Sequence, residues 1–444
     1  MCFRRVYSKT VYAMSGKVAA FRAISFLWLG SIIGAGCAFL TQVILARELG
    51  PTTFGVFAAA LSTVTLLSPL AGFGIAQYWL KVFGHEGWHA MRWLPGSFRF
   101  IGLSTAIVFL FLLVWGKLAP HDALSASILL ILSFHVLGQL SVELVSAKLQ
   151  LEERYLNLAL WQVLPHLARL ILVVMLAYAA TNLLSAQYAA YTYAIVASIF
   201  FVSAVWLLSR MYGGAFELKG HAIPQEAEVL SKLDFPGMFQ VAAQSWPFGV
   251  AGLFYLVYFQ SDIILLRYMT GAEIAGIYNV AFTVMVAVYL LPSVVYQKFL
   301  LPKMHRWAHS DREKFYQVYR QGNIVMLVLG LLAMLAIWLL APWGVALLFG
   351  QNYRQSVGLL MVLAVSAPVL FTASSVGATL VTQTHMKIKV KCMGAVAGIN
   401  VILNLLLIPP YGAYGAAVAT IISNVSLLAI YYFYAERLVF SDIR

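Results

Sequence analysis

Residues 99–154 read RFIGLSTAIVFLFLLVWGKLAPHDALSASILLILSFHVLGQLSVELVSAKLQLEER, and this stretch decides the fold. Two apolar runs, 99–116 and 123–147, flank a short polar turn that holds Lys117 and Asp122. A helix needs about 20 apolar residues to cross a hydrocarbon core of about 30 Å. A backbone in lipid must satisfy its own hydrogen bonds, which makes each run a helix. The pattern continues in both directions. It predicts twelve spans, at 23–45, 55–80, 99–116, 123–147, 156–178, 186–208, 238–263, 273–296, 323–341, 356–381, 392–409 and 412–435. Over all 444 residues 62% are hydrophobic and 10% charged, against roughly 25% charged in soluble domains. That leaves no room for a large water-facing domain.

Lysine and arginine give the orientation. Segments on the side of the N-terminal tail carry 24 of them, counting Arg99 at the edge of the third span, and segments on the other side carry 4; Arg169 alone lies in the interior of a span. By the positive-inside rule both termini are cytoplasmic. The net charge of +13 is mostly this asymmetry, and no nucleic-acid-binding motif accompanies it. The basic N-terminus (Arg4, Arg5, Lys9, Lys17, Arg22) leads into an uncleaved first span. The three cysteines, Cys2, Cys37 and Cys392, show neither metal-ligand spacing nor a disulfide framework. No Gly-rich phosphate loop is present. The sequence therefore points to no catalytic residue, no metal and no cofactor.

The chain resembles itself at half its length. Ile44-Leu-Ala-Arg47-Glu-Leu-Gly50, then Phe54-Gly55-Val-Phe57, is matched by Ile264-Leu-Leu-Arg267-Tyr-Met-Thr-Gly271, then Ala275-Gly276-Ile-Tyr278. Each half carries six spans, an even number, so both halves enter from the same side and the repeat is parallel. The expected architecture is an all-α polytopic membrane protein of two six-helix lobes, related by a pseudo-twofold axis, around a central cavity. The N-lobe takes residues 1–209, a cytoplasmic linker 210–236, and the C-lobe 237–444. A capping box, Ser310 with Glu313, is expected to open a surface helix before the ninth span.

Ionisable groups at membrane depth are costly and mark pathways. Span four carries His135, Gln139 and Glu143; span five carries Gln162, His166 and Arg169. Each set lies on one helical face. The two spans are antiparallel, which puts Glu143 and Arg169 roughly 12 Å apart along the axis at 1.5 Å per residue. Both stripes are expected to line one hydrated cavity, with Arg169, His135, His166, Gln139 and Gln162 contacting substrate. Arginine suits a phosphate because its planar fork binds two oxygens. A polar network between two helices is the plainer alternative. Asp262, near the far end of span seven, is either a coupling or gating carboxylate or the partner of a neighbouring basic residue. Glu143, Arg47 and Arg267 join it as coupling or gating candidates. Thr372, Ser374, Ser375, Asn400 and Asn404 offer either a sugar-contacting wall or helix–helix hydrogen bonds.

Four segments resemble the polysaccharide transporter family, lipid-linked oligosaccharide flippases of the multidrug/oligosaccharidyl-lipid/polysaccharide exporter superfamily. They are Arg47-Glu-Leu-Gly-Pro-Thr-Thr-Phe-Gly55, Leu300-Leu-Pro-Lys-Met304 followed by Ser310-Asp-Arg-Glu313, Leu347-Leu-Phe-Gly-Gln-Asn-Tyr353, and the run from Leu403 through Pro409-Pro-Tyr-Gly-Ala-Tyr-Gly to Thr420. The resemblance implies a multi-pass protein of the bacterial inner membrane. It would move an undecaprenyl-diphosphate-linked sugar unit outward for O-antigen, capsule or exopolysaccharide synthesis, beside a polysaccharide polymerase. A drug or metabolite exporter of the same superfamily is the alternative. Span one lacks the carboxylate that many of those exporters carry, which favours the oligosaccharide branch. A glycosyltransferase or O-antigen polymerase would need a long outer loop, and every outer loop here is short. Single-cysteine labelling should find Gly350→Cys reachable from outside and Gly220→Cys and His309→Cys only from inside; outside labelling of Gly220→Cys would overturn the topology.

Overall fold

The structure, a computed structural model, describes residues 2–119, 122–179, 184–221, 234–293, 304, 307, 311–380 and 386–441. The centre of the expected linker (222–233), the motif residues 300–303, and His309 and Ser310 lie outside these. Among the described residues every regular element is a helix. In chain order they are α1 (Cys2–Leu67), α2 (Ile75–Glu86), α3 (Leu94–Leu118), α4 (Ala123–Ser133), α5 (His135–Leu151), α6 (Tyr155–Val174), α7 (Ala186–Tyr212), α8 (Met238–Met269), α9 (Ala272–Ser293), α10 (Arg312–Phe349), α11 (Gln355–Ala364), α12 (Ser366–Thr379) and α13 (Met386–Tyr434).

Several helices break where the sequence demands it. α1 turns at Gly50 and α13 at Gly412, whose φ angles of 72° and 56° only glycine adopts cheaply. Pro51 follows Gly50 as the first residue of the next segment, where its missing N–H is not needed. α4 and α5 are one span broken at Phe134, and α11 and α12 are one span broken at Val365, with nearly the same backbone angles at both breaks. Nine stretches of helix among the described residues are long and apolar enough to cross a membrane; the stretches Ser25–Leu118 and Lys387–Val439 contain the glycine breaks.

Polarity is arranged for lipid. Leu339 and Trp343 are 77% and 79% exposed, whereas Asp262, Asn400, Asn404 and Asn424 are buried. Water would not tolerate that outer surface, and lipid does. Gly30 backs onto Ala159 and Gly34 onto His166, so close α1–α6 packing is what that spacing does.

The two halves of the chain meet through backbone. Where α1 crosses α9, a Cβ on Gly55 would lie 1.8 Å from the Ala272 carbonyl oxygen, and one on Gly276 would lie 2.1 Å from that of Pro51. Around this crossing the Tyr353 hydroxyl donates to the Ala46 carbonyl (2.8 Å), Ser356 donates to that of Ile277 (2.7 Å), and Arg47 donates to that of Leu347 (3.2 Å). Nearby, Arg267 donates to Asp122 (3.3 Å) and to Ser125 (3.0 Å). Ser125 and Arg267 together hold the Asp122 carboxyl below the usual carboxylate range, the Ser125 hydrogen bond contributing most. Arg47 and Arg267 thus serve as ties between the halves. At the opposite end the chain after α7 folds back: Phe216 packs on Phe83 and Trp88, and the Lys219 N–H donates to the Leu151 carbonyl.

Two expectations are corrected in detail. α7 runs to Tyr212, past the expected end of the sixth span. The cap of α10 is Asp311, whose carboxylate accepts from the Lys314 N–H at 3.0 Å; Ser310 of the expected box lies outside the described residues. Asp and Ser are equally good caps, and the helix starts one residue later than the spacing suggested. From there α10 is a single helix through the ninth span.

The crossing predicts a sharp contrast between two glycines. Gly55→Ala should destabilise by about 1–3 kcal/mol because the clashing atoms are backbone. Gly36→Ala, whose Cβ meets nothing within 4 Å, should be neutral or stabilising by up to about 1 kcal/mol. Thermal unfolding midpoints in detergent measure the difference.

Candidate functional site

α5 and α6 pack side by side with α7, and their polar stripes converge. His135, Gln139, Gln162, His166 and Arg169 line one small cavity, closed by Pro165, Val196, Ala197 and Phe200. All five residues expected at a substrate site are therefore brought together. Its free volume is about 30 Å³, room for a water molecule or two, so in this conformation it is too small for a diphosphate.

Arg169 is half-buried and donates from Nε to the Pro165 carbonyl at 3.0 Å. Its guanidinium lies 4.9 Å from the ring centroid of Tyr193 on α7, a cation–π contact. His135 meets the same ring edge-on at 5.5 Å, and Gln42 on α1 reaches the Tyr193 hydroxyl at 3.5 Å. Gln139 and His135 approach to 3.1 Å, and Gln162 donates to Ser146 at 3.4 Å. No carboxylate among the described residues lies within ion-pair distance of Arg169. The cluster is thus a cation held by neutral groups. Tyr193 and Gln42, which the polar stripes of spans four and five could not reveal, complete it from two other helices.

Glu143 is not in this cavity. It faces a larger one, of about 310 Å³, between the end of α1, the start of α2, α5 and α8. Thr65, Ser68, Gln77, Gln139 and Tyr255 line that cavity with it. Gln139 borders both spaces. The single cavity expected for both stripes is therefore two. One helical turn separates Gln139 from Glu143, enough for the helix to present them to different neighbours.

Asp262 also departs from its plainer reading. No basic residue pairs with it among the described residues. It is buried in the C-terminal half, where Tyr278 and Asn404 each donate to it at 2.7 Å and Thr420 donates as well. Asn404 also donates to Asn400 at 3.1 Å, Ser261 donates to Asn400 at 2.9 Å, and Tyr258 donates to Asn424. The Asn404 amide oxygen has no hydrogen-bond partner. Beside the Asp262 carboxylate it supplies hard oxygen donors of the kind a small cation prefers. Asn400 and Asn404 belong to this network, and Thr372 and Ser374 bond to their own helix. Ser375 donates to Asn323 across to α10, a helix–helix bond.

Comparison with known proteins fits this geometry. The sequence model of a family described as "Polysaccharide biosynthesis protein" matches residues 20–307. A succinoglycan biosynthesis transport protein of Rhizobium meliloti is 26% identical over 347 residues, 77% of this chain and 64% of that protein. A capsular polysaccharide biosynthesis protein of Staphylococcus aureus is 25% identical over 173 residues, 38% of this chain and 43% of that one. The chain thus spans less than two thirds of the length of these relatives. Among solved structures, an inward closed conformation of the lipid II flippase MurJ superposes with a TM-score of 0.73 at 12% identity, covering 92% of this chain and 87% of that one. A eukaryotic multidrug-type transporter gives 0.61 at 12% identity, covering 94% and 95%. The chain shares the fold of these solved structures.

Asp262→Ala takes the acceptor from three buried donors, of which Asn404 keeps Asn400, so two are left unsatisfied at about 1–3 kcal/mol each. It should destabilise by about 2–6 kcal/mol. Glu143→Ala, which breaks no bond, should stay within about 0.5 kcal/mol. Unfolding midpoints of the two variants in detergent check the contrast.

Proposed function

The chain belongs to the polysaccharide biosynthesis protein family, and from that premise we propose that it is a flippase for an undecaprenyl-diphosphate-linked oligosaccharide, working by alternating access in a bacterial inner membrane. The observation that carries the reading is Arg169: an arginine without a carboxylate partner among the described residues, inside membrane-spanning helices, beside a cavity between the halves. Placing a lone cation at membrane depth costs about 2.5–3.5 kcal/mol on insertion scales, which an anionic ligand offsets. A diphosphate has the charge and the paired oxygens that a guanidinium grips. His135, His166, Gln139 and Gln162 add neutral or weakly basic contacts around it.

The rest of the reading has its own support. Twelve spans follow if the glycine breaks in α1 and α13 each end one span and start another and α3 is a span of its own within the stretch Ser25–Leu118. Two lobes, residues 1–209 and 237–444 around a 210–236 linker, fit the contact of Gly55 with Gly276 and the matching breaks at Phe134 and Val365. The loop charges put both termini in the cytoplasm and the Gly55–Gly276 crossing on the outer side. The conformation is then closed to the outside, and the cycle requires this crossing to part. The chain acts as a transporter without chemistry of its own. The surface polysaccharide is O-antigen, capsule or exopolysaccharide, and a polymerase is the natural consumer of the product.

The diphosphate also supplies a driving force. Moving one charge through 100 mV is worth about 2.3 kcal/mol, so two negative charges leaving a negative cytoplasm gain roughly 4–5 kcal/mol. A cation or proton taken up at Asp262 or Glu143 would add to it.

The test is reconstitution in liposomes with a polyprenyl-diphosphate-linked oligosaccharide. Arg169→Ala should cut head-group translocation by at least tenfold at equal protein incorporation. Arg169→Lys should recover only part of it, because an ammonium keeps the charge and loses the fork. Normal translocation by Arg169→Ala would move the anion site elsewhere. Export of an amphiphilic drug in place of the lipid would favour the multidrug-exporter alternative.

A further inference from the structure

On the flippase reading, we propose that Glu143 makes the cavity between the halves a selector for neutral glycans over acidic ones. The argument starts from what Glu143 lacks. Among the described carboxylates, Glu86 pairs with Arg92, Glu152 with Lys148 and Arg154, and Asp122 with Arg267, while Asp262 holds three donors. Glu143 sits on a membrane-spanning helix, is exposed to the 310 Å³ cavity, and bonds to no described group. A carboxyl in that position is costly to keep unless something that enters the cavity meets it.

The rest of the lining says what that is. Thr65, Ser68, Gln77 and Gln139 supply hydroxyls and amides, and Tyr255 supplies a ring with a polar tip. This is the chemistry of sugar hydroxyls: many neutral donors and acceptors, with a carboxylate as the strongest acceptor. No Lys, Arg or His among the described residues lines the cavity. An acidic sugar would place a second carboxyl beside Glu143 with no cation to offset it. With its carboxylate ionised, Glu143 repels the uronate directly, and that repulsion is what a neutral side chain at this position would remove.

Gln139 orders the two ends of the substrate. It borders both the Arg169 pocket and this cavity, one helical turn from Glu143. A diphosphate at Arg169 therefore presents its first sugars past Gln139 to Glu143. The cation reads the part that all such lipids share, and Glu143 reads the part that differs.

The experiment uses two matched polyprenyl-diphosphate trisaccharides in proteoliposomes, one all-hexose and one with a uronic acid replacing one hexose. The readout is the ratio of their translocation rates, in which folding yield cancels. The wild-type protein should move the neutral lipid at least tenfold faster. Glu143→Gln should bring the ratio below threefold, and Glu143→Arg should invert it. Equal rates in the wild-type protein, or a ratio that Glu143→Gln leaves unchanged, overturn the selector alone. Movement of neither lipid overturns the flippase reading, and the selector with it.

Discussion

Two glycines, Gly55 and Gly276, allow the backbones of α1 and α9 to touch, and the joining of the two halves depends on that contact. Helices in lipid gain little from hydrophobic association, because the solvent is as apolar as the side chains. Close approach and interhelical hydrogen bonds must hold them. Around this crossing the Tyr353 hydroxyl donates to the Ala46 carbonyl across the halves, and Ser356 donates to the Ile277 carbonyl within the C-terminal half. A methyl group at either glycine would separate the two chains of contacts together. The cavity that Glu143 faces lies between the halves, which also meet at Gly74 and Gly249 on its lining.

Charge is distributed unequally between the halves. The N-terminal half buries a cation, Arg169, among Tyr193, His135 and Gln139, and the C-terminal half buries a carboxylate, Asp262, among Tyr278, Thr420 and Asn404. Neither has an oppositely charged partner among the described residues. Two such groups in one fold would ordinarily pair across the interface, since an unpaired charge in low dielectric is expensive. Asp262 is enclosed by three donors. Among the described residues Arg169 has the Pro165 carbonyl and the Tyr193 ring, which on the flippase reading an anion would displace.

Much of this was legible in the sequence, and the physics explains where legibility stopped. The apolar runs of residues 99–154 are a strong signal because lipid forces every such run into a helix. The stripe of His135, Gln139, Gln162, His166 and Arg169 was legible because helical periodicity puts i and i+4 on one face and α5 and α6 are joined by a short turn. Tyr193 and Gln42 were not, because nothing local tells that α7 and α1 close on that stripe. Glu143 fell into a different space from its own stripe because a helix packed on two sides presents successive turns to different partners. Asp262 looked like an interfacial residue by its distance from Arg267, but its true neighbours, Asn404 and Thr420, lie 142 and 158 positions away. Long-range polar contacts of that kind leave no periodic trace.

The smallness of the Arg169 pocket bears on how the reading above would operate. At about 30 Å³ it excludes a diphosphate, while the neighbouring cavity, at about 310 Å³, admits part of a glycan. Arg169 is held by the Pro165 carbonyl and the Tyr193 ring, contacts far weaker than two charge-assisted bonds to phosphate. An arriving diphosphate therefore has a larger free energy to offer the guanidinium than its present neighbours do. That difference would pull Arg169 off Tyr193 and widen the space between α5, α6 and α7. Tyr193 also touches His135 and Gln42, so its release loosens α1 from α7. α1 is the helix that crosses α9 at Gly55, so on the flippase reading anion binding in the N-terminal half would be mechanically connected to that crossing.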